Sequence, residues 1–239
     1  MSRNKKKHSN TASPQNTKAS RSIVNTVNPK SNDLLLYILP IAIFFITFFT
    51  FSPSLTCGFT NWDDPTYITK QDLLLHPGKE NLKDIFTTNV SNNYHPLTML
   101  SLKWNTNTTN LGAKPFHFTN VLLHLLNTLL VFIFIFLMSD KRVWIAAVVT
   151  LFFGIHPMHV ESVTWIAERK DVLYSFFFLA SLIAYFKFIS SEKQKTIWYI
   201  FSFLLFTLSC LSKGVAVCLP IVLLLIDYYH KRSNIKIPR

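Results

Sequence analysis

Read from its first residue, the chain alternates between polar stretches and long apolar blocks. Residues 1–33 are rich in Asn, Ser, Thr and Lys and hold no apolar run able to bury a core, so a disordered tail is expected there. Residues 34–51 then run for about 18 positions without a charge, enough for a first membrane-spanning helix. Further apolar blocks cover 118–138, 143–155, 172–189, 197–211 and 215–229. The pattern predicts six spans within a module at 34–230, closed by a second basic tail at 231–239. The third, fifth and sixth blocks are short, and Pro220 interrupts the last. The third and sixth are therefore also readable as re-entrant or tilted half-helices.

Between the first two spans lies a long interval, 52–116. Leu82, Ile85 and Phe86 recur at helical spacing within 80–86, and Leu97, Leu100 and Trp104 recur behind Pro96, a residue suited to a helix start. Two short amphipathic helices lying at the membrane surface are expected. The first apolar block has no small-residue cleavage site, so it is read as an uncleaved anchor rather than a signal peptide. No internal repeat relates the two halves, which argues against a transporter built from repeats.

Composition agrees with lipid as the solvent. Of 239 residues, 49% are hydrophobic and 15% charged, with 22 phenylalanines, whereas a water-soluble domain carries about 25% charge. The net charge of +12 is compatible with nucleic acid until its placement is considered. With the N-terminus inside, the excess basic residues fall on the inner side: the first tail, Lys141 and Arg142, Lys187, Lys193 and Lys195, and the last tail. The outer segments balance to zero. This is the positive-inside pattern, so no nucleic-acid partner is expected and the bilayer is. The three cysteines, Cys57, Cys210 and Cys218, have no CxxC spacing and are read as small apolar residues.

The candidate chemistry gathers on the outer side. Asp63 and Asp64 pair two carboxylates just beyond the first span, where one can hold a proton while the other accepts one; as an Asp-Pro sequence they also suit a turn. His95, before Pro96, is placed to donate to a phosphate. His156, His159 and Glu161 form H-x-x-H-x-E, which lacks the i, i+4 spacing of zinc-protease helices, so no metal or other cofactor is assigned. Arg169 and Lys170 stand at the mouth of the fourth span, where a guanidinium fork and an ammonium suit a lipid phosphate or snorkel at a helix end. Asn120 and His124 share one face of the second span and suit a helix–helix hydrogen bond or a ligand contact.

Four motifs occur in order: Trp62-Asp63-Asp64-Pro65, Tyr94-His95-Pro96-Leu97-Thr98, Phe116-His117-Phe118-Thr119-Asn120, and His156-Pro157-Met158-His159-Val160-Glu161 continuing to Glu168-Arg169-Lys170-Asp171. Together they resemble the membrane part of the transmembrane, TPR-repeat-containing O-mannosyltransferases and their bacterial relatives. The resemblance implies an all-α polytopic membrane protein, the N-terminal part of a GT-C-type glycosyltransferase fold. It implies transfer of a sugar, mannose by the family's name, from a polyprenyl-phosphate donor to Ser or Thr hydroxyls of an acceptor protein, with inversion. It casts Asp63 or Asp64 as general base. Arg169, Lys170, His95 and His156 become donor-phosphate ligands, and His159, Glu161, Asn120 and His124 acceptor-side or structural polar groups. Relatives continue into further spans and TPR repeats, so a truncated protein or a second chain carrying those parts is expected. A bacterial cell membrane, or the endoplasmic reticulum in a eukaryote, is the expected location; sequons at Asn89 and Asn107 would serve in the latter. An inactive scaffold of the same fold and a transporter are the alternatives.

Overall fold

A computed structural model describes residues 29–75, 82–108, 112–191 and 193–230. Residues 1–28, the tail at 231–239 and the expected start of the first amphipathic segment at Glu80 lie outside the described residues, whereas residues 29–33, expected as the end of a disordered tail, form the first turns of a helix. Those residues form an all-α polytopic membrane protein, with no strand among them.

The long helices are α1 (Pro29–Phe51), α5 (Ala113–Met138), α8 (Arg169–Ser190) and α9 (Lys195–Ser212). All four are long and apolar enough to cross a membrane. Two shorter apolar helices accompany them: α6 (Val143–Ile155), and α10 (Leu219–Tyr229), which a 3-10 turn, Gly214–Cys218, precedes. Pro220 sits in the first turn of α10, where its missing N–H costs no hydrogen bond. At 13 residues, α6 rises only about 20 Å.

One end of the bundle gathers the connections. Leu35, Leu36 and Leu39 of α1 pack with Phe132 and Phe136 late in α5 and with Val143 of α6. Asp140 and Lys141, both with positive φ, close the tight turn between α5 and α6. Met138, Ile189 and Ile226 cluster at the same end, and His230 reaches the Met138 sulfur at 3.4 Å. The basic residues of both short loops therefore share one end.

Close approach binds α1, α5 and α6 further up. A Cβ on Gly154 would stand 2.4 Å from Thr47 Oγ1 and 3.2 Å from Thr128 Cγ2. Only hydrogen at that position lets α6 sit against the other two backbones.

At the opposite end, the interval after α1 is more folded than two surface helices. It holds a π turn (Pro65–Thr69), α2 (Asp72–Leu75), α3 (Leu82–Thr87) and α4 (Pro96–Thr108). Tyr67, Ile68, Leu74, Ile85, Met99 and Leu102 form a core of their own with Phe116 and Ile166. Leu82 and Trp104 stay exposed. The amphipathic faces thus divide, one stripe packing inward and the other facing outward. The segment between α6 and α8 is folded as well, into α7 (His159–Thr164) and a 3-10 turn, Ile166–Glu168.

Candidate functional site

The two aspartates have separate surroundings. Asp64 is fully buried, and its Oδ2 accepts the Thr60 amide at 2.8 Å and the Thr60 hydroxyl at 3.2 Å. Its Oδ1 accepts the Ala167 amide at 3.0 Å. The carboxylate is a tether between the loop after α1 and the turn before α8. Asp63 is half-buried, and among the described residues its carboxylate has no hydrogen-bond or ion partner. Its carbonyl accepts the Tyr67 amide at 3.0 Å and starts the π turn.

Arg169, expected to face a phosphate, points inward and is fully buried. Its Nε donates to Asn120 Oδ1 at 2.8 Å, and Nη2 donates to the Phe116 carbonyl at 2.9 Å. Nη1 donates to the Ser101 carbonyl at 3.1 Å and to Asn105 Oδ1. Neutral oxygens from α4 and α5 thus surround one charge, while the Phe116 ring covers it at 5.5 Å. Asn120 completes the junction by donating to the Trp165 carbonyl at 3.1 Å. The guanidinium fork, with its several donors in one plane, locks the start of α8 onto two other helices.

The cations nearer the open side are Lys170 and Lys213. Lys170 pairs with Glu168 at 2.8 Å and lies 4.9 Å above the Tyr67 ring. Lys213 pairs with Asp171 and stands 3.8 Å from Glu168; a third of its side chain is exposed. His95 is buried against the Tyr67 ring, 5.4 Å between centroids, and its Nε2 has no hydrogen-bond partner among the described residues. Burial pushes its pKa down to about 4, and the charges of Lys170 and Lys213 push the same way. His95 is therefore a neutral ring at pH 7.

The remaining candidates occupy the end of α6. His156 is exposed and accepts the Met158 amide at Nδ1, 3.2 Å away. His159 Nδ1 lies 2.8 Å from the Phe153 carbonyl and His124 Nε2 lies 2.9 Å from the Gly154 carbonyl. Both rings satisfy carbonyls that α6 leaves open at its last turn. Glu161 is exposed in the first turn of α7. Among the described residues no three of His, Cys, Asp and Glu converge as a metal set.

The chain is similar to protein O-mannosyl-transferases. It is 31% identical over 144 residues to protein O-mannosyl-transferase TMTC3 of Mus musculus, covering 56% of this chain and 15% of that protein. Against protein O-mannosyl-transferase TMTC1 of Mus musculus it is 38% identical over 96 residues, 38% of this chain and 10% of the relative. The match to TMTC4 of the same organism is longer, 27% over 202 residues, covering 72% of this chain and 27% of the relative. The chain thus spans about a quarter or less of the length of these O-mannosyl-transferases. No family model and no solved structure matches it.

The similarity to O-mannosyl-transferases and the apolar helices agree on an integral, multi-pass membrane protein. In the sequence, Lys213 stands alone between two apolar blocks and reads as one of the balanced outer charges. Its partners Glu168 and Asp171 lie more than forty residues upstream and meet it only through the pairing of α8 with α9. Tyr67 carried no signal beyond its place after Asp-Asp-Pro.

Proposed function

We propose that this chain carries the donor-binding end of a membrane glycosyltransferase of the GT-C type. It transfers a sugar, mannose in the first instance, from a polyprenyl phosphate to a Ser or Thr hydroxyl of an acceptor protein. The observation that carries the reading is the similarity to named O-mannosyl-transferases, joined to a carboxylate, Asp63, that has no partner among the described residues, at the end of the bundle that holds Lys170 and Lys213.

Asp63 takes the proton of the acceptor hydroxyl. That oxygen attacks the anomeric carbon from the face opposite the phosphate, and the bond from that carbon to the phosphate oxygen breaks. The electron pair leaves on the polyprenyl phosphate, so the anomeric centre inverts. Lys170 and Lys213 exchange part of their pairing with Glu168 and Asp171 for the leaving phosphate, whose growing charge favours ammonium donors. Arg169, already saturated by protein oxygens, adds positive potential from below and holds the frame. His95, neutral, offers its free Nε2 beneath Tyr67. Asp64 keeps the Asp63 loop against the α8 turn. Further spans, on the same polypeptide or a second chain, complete the acceptor groove.

The test is binding and transfer with polyprenyl-phosphate mannose in nanodiscs. Donor binding that weakens in Lys213→Gln, with transfer lost in Asp63→Asn, is expected. Absence of donor binding by the wild-type chain is the result an inactive scaffold gives, and it overturns the proposal.

A further inference from the structure

Below the lysine pair, a cavity of about 140 Å³ opens between α5, α7 and α8. His124, Asn127, His159, Ser162, Asp171 and Ser175 supply its polar wall, and Phe153 and Tyr174 supply ring faces. At roughly 30 Å³ per water, it has room for four or five waters or one small ring.

The hydrogen-bond sense of this wall is unusually one-sided. A carbonyl only accepts, so His124 carries its proton on Nε2 toward Gly154 and keeps a bare lone pair on Nδ1. His159 donates from Nδ1 to Phe153, an arrangement that in the neutral ring leaves the lone pair on Nε2. Asn127 donates its Nδ2 to the Val172 carbonyl at 2.8 Å, leaving Oδ1 without a partner although the residue is only 1% exposed. Ser162 spends its hydroxyl hydrogen on Asp171 Oδ2 at 3.0 Å. The wall presents acceptors and few donors, inside helices where an unmet polar atom is costly.

A ligand that answers such a wall brings several hydroxyl hydrogens on a small frame. A cation is disfavoured, because the one carboxylate in the wall, Asp171, is already neutralised by Lys213. Sugar C–H faces also match the rings of Phe153 and Tyr174. Asp171 lines the cavity and pairs with Lys213, so the lysine stands next to whatever the cavity holds.

We infer that this cavity is the subsite for the hydroxyl edge of a neutral hexose. The inference rests on the transferase reading for the identity of the donor, but the cavity can be tested by itself. The experiment is thermal unfolding of the full chain in detergent with methyl α-mannopyranoside, against glycerol at equal concentration. A saturable rise in Tm is expected for the wild type, at least tenfold weaker in apparent affinity for Asn127→Leu. Ser175→Leu fills the cavity while leaving the Asn127–Val172 bond in place, and it should weaken binding as much. Sugar-free undecaprenyl phosphate should stabilise all three proteins equally. A mannoside effect no larger than glycerol's, or one that Ser175→Leu leaves unchanged, overturns the inference. If undecaprenyl phosphate still binds in that case, the cavity alone is ruled out; if undecaprenyl phosphate fails to bind the wild type, the transferase reading falls separately.

Discussion

Asp64 Oδ1 accepts the backbone amide of Ala167 at 3.0 Å, joining positions 103 residues apart. That bond ties the loop after the first helix to the turn that opens α8. The neighbouring Asp63 carboxylate has no partner among the described residues, so the two acids divide into a tether and a group left open for the base role proposed above.

Exchange of each acid for its amide should separate these roles. Asp64→Asn sets an NH2 group against one of the two amide donors and should cost about 1–3 kcal/mol, read as a lower Tm in detergent. Asp63→Asn should leave Tm unchanged and reduce sugar transfer by roughly 10²–10⁴, the usual contribution of a general base. The reverse assignment would appear as a stable Asp64→Asn protein without activity.

Arg169→Lys keeps the charge and loses the fork. Asn120, Asn105 and the Phe116 carbonyl would then share one ammonium, and some would be left unmet. A loss of several kcal/mol is expected, visible as a large drop in Tm and as proteolysis near the start of α8. A lysine variant as stable as the wild type would remove Arg169 from its framing role.

Acid should expose His95. Its pKa is lowered from 6.5 to about 4, so the unfolded chain takes up a proton that the folded chain refuses. Stability is therefore full above pH 6.5 and falls as the pH drops from 6.5 towards 4. His95→Phe keeps a ring against Tyr67 and should flatten the pH dependence of Tm in that window. Parallel curves for the two proteins would count against it.

The α1–α6 contact is a steric matter. Gly154→Ala places a methyl 2.4 Å from Thr47 Oγ1 and should destabilise by about 1–3 kcal/mol through forced separation. Adding Thr47→Ala removes the clashing oxygen, which has no hydrogen-bond partner among the described residues. The double variant should recover most of the lost Tm, a coupling that two independent effects would not give.

Much of this arrangement was legible in the sequence, for reasons that particular residues make plain. Uncharged apolar blocks marked α1, α5, α8 and α9, because lipid leaves a helix few other options. Pro96 and the spacing of Leu97, Leu100 and Trp104 marked α4, although the helix continues to Thr108. The division of labour between Asp63 and Asp64 was not legible, since it depends on an amide a hundred residues away. Nor was the inward turn of Arg169, which requires Ser101, Asn105 and Asn120 to arrive from other helices. Tyr174 and Ser175 read as ordinary positions of the span at 172–189, and Asp171 as the end of an outer motif, until folding set them around a cavity.

The shortness of α6 has a consequence for the surrounding lipid. A helix rising about 20 Å cannot match a hydrocarbon layer of about 30 Å, so the bilayer must dimple beside it or water must reach down to its end. Where the layer thins at the C-terminal end of α6, the His156–Glu161 segment stands at the depression. A hydrophilic polypeptide arriving from the aqueous side would thus find the shore lowered at this corner, close to where a lipid-borne sugar would be held.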